Sequence, residues 1–169
     1  TITTINSLPF NNTGIVQAES GTLQFNGGFS QTNALAEMRL VGGGLTGGTL
    51  TFAAGKITGV GVISASVINS GATISPDPTG TRTITLSGSN ARVRTLDIPG
   101  DETLALGTAG GGFTLRILGD GVTKTPFVPS AVGNLSSPNA ASTVIFTTAV
   151  ADTVVPNVVT YRNLQLSGA

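Results

Sequence analysis

SGTLQFNGG at Ser20–Gly28 returns as GGTLTFAAG at Gly47–Gly55, an offset of 27 residues. Each copy is a short apolar/polar alternation closed by glycine. Alternation with a period of two is the pattern of a half-buried strand, and glycine supplies the corner conformations that β-branched residues resist. Looser echoes follow in NSGATIS (Asn69–Ser75), TRTITLSG (Thr81–Gly88), GFTLRILG (Gly112–Gly119) and YRNLQLSG (Tyr161–Gly168). Strands this short cannot bury an apolar face alone. Stacked coil on coil, they pair their backbones and line up Val, Ile and Leu in one interior, and recurrence at about 20–30 residues is the solenoid range.

The sequence therefore points to an all-β chain folded as a right-handed parallel β-solenoid. A β-sandwich or jelly roll is the alternative, since it too shows short strands with turn signals every ~8–12 residues. In the stretch Asn11–Gly28, Val16, Leu23 and Phe25 are expected to point inward and Gln17, Glu19 and Gln24 to face water. Gly14, Gly21, Gly27 and Gly28 would turn the chain. The most helix-like segment, QTNALAEMRLVGG (Gln31–Gly43), also alternates: Ala36, Met38 and Leu40 against Glu37 and Arg39. It is short and ends in glycines, so it reads as a strand with one wet face.

The texture changes at SPDPTG (Ser75–Gly80), where two prolines interrupt any ladder. Residues 1–78 carry the glycine-punctuated repeats. Residues 79–169 read as a less regular β region continuous with the first, with Thr125–Ser142 expected to project as a loop.

Composition narrows the function. The 169 residues carry eight basic and eight acidic side chains, zero net charge and only 9% charged residues. A nucleic-acid binder needs a basic face to displace counterions, and a membrane-surface segment needs a polybasic cluster; neither is encoded. No run of 18 apolar residues occurs, so no membrane-spanning helix is expected. Thr1–Phe10 has neither the basic nor the apolar region of a signal peptide, and the limits Thr1 and LQLSGA read as those of a mature product or a segment.

The chain has no Cys and no His. Thiol nucleophiles, disulfides, Ser-His-Asp catalysis and soft metal ligands are thereby excluded. Among the eight acids, only DIPGDE brings three together, Asp97, Asp101 and Glu102. They could hold calcium or form a carboxylate pair, but Asp beside Gly and Pro is first of all a solvated turn. The glycine clusters Gly42–Gly48 and Gly110–Gly121 read as corners, and Gly55–Thr58 fails as a phosphate loop because Ile57 follows Lys56 and no helix follows. Arg92 and Arg94 share a strand face, either as scattered surface charge or as a hold on an anionic sugar. Tyr161 could stack on a sugar or pack at a coil end. Asn11 and Asn134 open glycosylation sequons. No catalytic residue and no cofactor is expected.

NNTGIVQAESGTLQFNGG, GGGLTGGTLTFAAGKITGVGVISASVINSGATISP and TVVPNVVTYRNLQLSGA resemble the repeats of large bacterial surface proteins, the autotransporter-passenger and filamentous-adhesin types. The last motif also resembles repeats in secreted proteins of gliding bacteria. The resemblance covers roughly residues 11–78 and 143–169. It implies a parallel β-helix on the cell exterior serving as stalk, adhesin or matrix component. The expected role is an extracellular structural or adhesive module without enzymatic activity, partnered by its own copies, by neighbouring repeats or by surface glycans, with no nucleic acid and no membrane insertion. A carbohydrate-binding or tail-spike-like β-helix and a virion β-sandwich are the alternatives.

Overall fold

The computed structural model describes residues 1–75, 83–88, 90–93, 96–98, 102–107, 113–119, 121–137, 139–147, 150–151 and 153–167, with the backbone alone at Asn90 and Asp97. The chain is all-β and winds as a parallel solenoid of about seven turns. In chain order the strands are β1 (Ile2–Ile5), β2 (Phe10–Asn12), β3 (Ile15–Ala18), β4 (Thr22–Phe25), β5 (Phe29–Gln31) and β6 (Glu37–Gly47). Then come β7 (Leu50–Phe52), β8 (Lys56–Ile63), β9 (Val67–Asn69), β10 (Thr73–Ser75), β11 (Thr83–Leu86), β12 (Asn90–Val93) and β13 (Leu96–Ile98). The last are β14 (Thr103–Leu106), β15 (Thr114–Ile117), β16 (Phe127–Pro129), β17 (Leu135–Ser136), β18 (Thr143–Phe146) and β19 (Asn163–Leu166).

The strands form three walls. The first stacks β1, β4, the second halves of β6 and β8, β11, β14 and β17. The second runs from β2 through β5, β7, β9, β12, β15 and β18 to β19. The third begins with β3 on the first half of β6, continues through the first half of β8 to β10, and ends with β13 paired to β16, β10 lying beside β13. The long strands β6 and β8 thus pass from one wall to the next, with a register shift between Val41 and Gly44 where they turn. Gly59 makes the turn in β8 at φ 96°, and a Cβ there would run into the Leu40 carbonyl of the coil below. Only glycine serves at such a corner.

Ladder partners fix the coil length. It ranges from 17 residues, Leu50 to Val67, to 31, Leu104 to Leu135. The two GTL.F copies are therefore not stacked on each other: Leu23 belongs to the first wall and pairs with Leu45, while Leu50 belongs to the second and lies between Phe29 and Val67. What repeats at 27 residues is the chemistry of a wall, an alternating strand between glycine corners, and not the coil.

Inward columns follow the same rungs. Leu45, Ile63, Leu86 and Leu106 are buried along the first wall, and Phe29, Leu50, Val67, Ala91, Leu115 and Val144 along the second. The early coils are filled by aromatic rings: Phe29 lies 5.0 Å from both Phe25 and Phe52 and stacks on Phe10 at 6.0 Å. Each such side chain contributes about 1.5–3 kcal/mol on burial. Phe25 is fully buried, whereas Val16 and Leu23 are half-buried against the core; Gln17 and Glu19 face water.

Polar corners are satisfied internally. Asn12 Nδ2 donates to Gln31 Oε1 at 2.8 Å, and Gln31 Nε2 reaches the Ala54 carbonyl of the next coil at 2.9 Å. Asn69 Oδ1 accepts from Ala72 N at 2.8 Å and its Nδ2 donates to the Ala72 carbonyl at 2.7 Å.

Two expectations are corrected. Thr125–Ser142 does not project: β16 and β17 lie in the ladders, and Phe127, Asn134 and Leu135 are buried. The strand from Glu37 does alternate, with Ala36, Met38 and Leu40 inside, but its outer face is not wet at Glu37, which is only 5% exposed. Neighbouring side chains cover it.

Candidate functional site

Of the three clustered acids, Glu102 alone is fully described. It is buried, not solvated, and its carboxylate accepts the Ser75 hydroxyl at 3.0 Å, while its backbone carbonyl accepts Asn134 Nδ2 at 2.7 Å. Asp97 lies on β13 and its side chain is outside the described residues, as is the whole of Asp101. Among the described residues no three His, Cys, Asp or Glu side chains gather as a metal set.

Charge gathers instead on the outer surface of the third wall. There the ladder sets Ile15, Glu37, Lys56 and Thr73 in one row and Gln17, Arg39, Thr58 and Ser75 in the next. Arg39 grips the Glu37 carboxylate with two hydrogen bonds, Nε at 3.0 Å and Nη2 at 2.8 Å. Thr58 adds its hydroxyl at 2.6 Å and Lys56 Nζ stands 3.6 Å away. The Arg39 hydrogen bonds, opposed by burial and helped by Thr58, hold the Glu37 carboxyl at about 2. A carboxylate so fully committed is a clamp between coils and has no basicity to offer a substrate.

The outer surface of the second wall carries Arg92 and Arg116. Arg92 is exposed on this surface, and Arg94, expected to share its strand face, lies outside the described residues. Arg92 stands in register with Arg116 on the adjacent coil. The sequence carried this signal: Ala91-Arg92-Val93 and Leu115-Arg116-Ile117 each set an arginine between two inward residues. Closeness in the chain points to Arg94, whereas the ladder sets Arg116, 24 residues on, beside Arg92.

Near the far end, Thr103, Gly133, Leu135, Ser136, Ser137, Thr160 and Arg162 line an open groove of about 530 Å³, with Arg162 Nε fixed to the Ser137 carbonyl at 3.2 Å. Tyr161 packs edge-on against Phe146 and donates its hydroxyl to the Pro156 carbonyl at 3.0 Å, and burial pushes the phenol up to about 12. These contacts are the coil-end packing role. Of the two sequons, Asn11 is exposed, whereas Asn134 is completely buried and holds its own turn together.

Among the described residues no helix is long and apolar enough to cross a membrane. No protein-family model, curated protein or solved structure matches the chain.

Proposed function

We propose that the chain is a stiff, non-enzymatic scaffold module of the cell exterior, a structural or adhesive element of a fibre or surface layer. The observation that carries this reading is the arrangement of backbone ladders on three walls, in which the described strands all pair in parallel along one axis. Stiffness along that axis resides in backbone hydrogen bonds reinforced by buried Asn and Gln corners, and not in a bulky core. Among the described residues β1 and β2 at one end and β19 at the other are paired on one side only, so each takes a further parallel rung from a neighbouring repeat or a second copy. The resemblance of the glycine-punctuated repeats to bacterial autotransporter-passenger and filamentous-adhesin types supports the exterior location.

Two measurements test the proposal. Light scattering across a wide concentration range should show head-to-tail association, and strictly monomeric behaviour at the highest concentration overturns the assembly. Antibody labelling of intact producing cells should succeed, and labelling only after permeabilisation overturns the location.

A further inference from the structure

Arg92 on β12 and Arg116 on β15 are direct ladder partners, one strand spacing of about 4.8 Å apart. Their flanking residues Ala91, Val93, Leu115 and Ile117 are buried, so both arginines stand on the outer surface of the second wall. Like charges directly opposite each other destabilise a sheet. Here nothing described offsets them. Arg92 is exposed and makes no hydrogen bond or ion pair among the described residues, and Arg116 uses Nη1 on the Thr147 hydroxyl at 3.1 Å. The ion pairs formed between described residues centre on Glu37, on a different wall. A chain with only eight basic residues thus places two of them side by side on an outer surface, with no carboxylate paired to either among the described residues.

We propose that this pair is an anion-binding site for an acidic polysaccharide, whose carboxylate or sulfate groups bridge the two guanidinium groups. The guanidinium fork takes such groups in bidentate fashion, and Thr147 fixes one of the two forks in place. The surroundings favour a sugar chain over other polyanions. Ile68, the ladder partner of Arg92 on the opposite side, is 42% exposed and offers an apolar contact for the C–H face of a sugar ring. Thr114, Thr143 and Asn163 form an adjoining row of hydroxyl and amide groups on successive rungs. A polysaccharide lying across the strands meets such rungs at intervals close to the length of one sugar unit. Nucleic acid and anionic membranes call for a broad basic field, and zero net charge does not supply one.

The test uses the full chain with three immobilised glycans, polygalacturonate, heparin and neutral dextran, and with phosphatidylserine vesicles. Binding to polygalacturonate or heparin and not to dextran is expected, with Arg92→Gln and Arg116→Gln each weakening it about tenfold. Arg92→Gln should also melt no lower than the parent chain, since it relieves like-charge repulsion; a structural role for Arg92 would lower the melting temperature. Absence of binding to both acidic glycans, equal binding by the two variants and the parent, or equal binding to the vesicles overturns the proposal. The scaffold reading is measured by assembly and surface labelling, so its failure and the failure of this site are separate results.

Discussion

Thr58 donates its hydroxyl to the Glu37 carboxylate across 2.6 Å, from one coil of the solenoid to the next. With Arg39 and Lys56 this makes a cross-coil clamp on the outside of the third wall, where backbone ladders alone would otherwise hold the coils. Glu37 titrates at about 2 in the folded protein, below its ordinary value of 4.5. Between those values the unfolded chain binds the proton and the folded one does not. The stabilisation is therefore complete above pH 4.5 and is lost as the pH falls through about 2. Because Arg39 and Lys56 are partly exposed, solvent screens the pair and the contribution is on the order of 1–2 kcal/mol. Glu37→Gln should lower the melting temperature at neutral pH, and the gap to the parent should close on acidification toward pH 2. A gap that stays constant with pH would show that the clamp acts through shape and not charge.

Gly59 and Gly14 separate corner geometry from mere abundance of glycine. Gly59 has φ 96° and its missing Cβ would collide with the Leu40 carbonyl, whereas Gly14 has open space around it. Gly59→Ala should cost about 2–4 kcal/mol, from left-handed strain plus displacement of the coil below. Gly14→Ala should lie within about 0.5 kcal/mol of the parent. Denaturant titration of both variants reads the difference, and equal costs would mean that β8 does not need its turn.

Asn134 holds the only described helical turn in the molecule, Val132–Asn134, against the coil below it. Its Oδ1 accepts from Ser130 N at 2.6 Å and from Ala131 N at 2.5 Å, and its Nδ2 donates to the Glu102 carbonyl at 2.7 Å. Asn134→Ala strands these buried groups and should cost about 2–4 kcal/mol. Asn134→Asp keeps the two accepted bonds but loses the donor to Glu102, and should fall between. If Asn134→Ala unfolds at the parent's denaturant midpoint, water replaces the side chain without loss.

Strand content was legible because the walls are short alternating runs between glycines, and period and glycine are local signals. Coil length was not. Leu23 and Leu50 look equivalent in sequence, yet the corners between them differ in length, and only the ladders reveal which strand lies above which. The same limit applies to the candidate sites. Adjacency groups Glu102 with Asp97 and Asp101, whose side chains lie outside the described residues, and does not show that the coils bring Ser75, 27 residues earlier, onto the Glu102 carboxylate. Arg116 was missed as the partner of Arg92 for the same reason. In a solenoid, neighbours in space are one coil apart in sequence, and an irregular coil hides them. Burial of Glu37 was equally invisible, since its cover comes in part from Lys56 and Thr58 of the following coil.

Phe29 tests whether stability is shared along the solenoid or held locally. Its ring touches Phe10, Phe25 and Phe52 across three coils, and it is 3% exposed. Phe29→Ala should cost about 3–5 kcal/mol through lost burial and the cavity left behind. Repeat architectures couple mainly nearest neighbours, so this loss should not spread evenly. Amides of β4, β5 and β7, which pack around the cavity, should exchange with solvent much faster than in the parent. Those of β15 and β18, several coils away, should keep their protection, because their core is built from Leu115, Ile117, Val144 and Phe146. Hydrogen exchange followed by mass spectrometry distinguishes the cases. Uniform acceleration along the chain would show that the solenoid unfolds as one cooperative unit, and that Phe29 supports it from end to end.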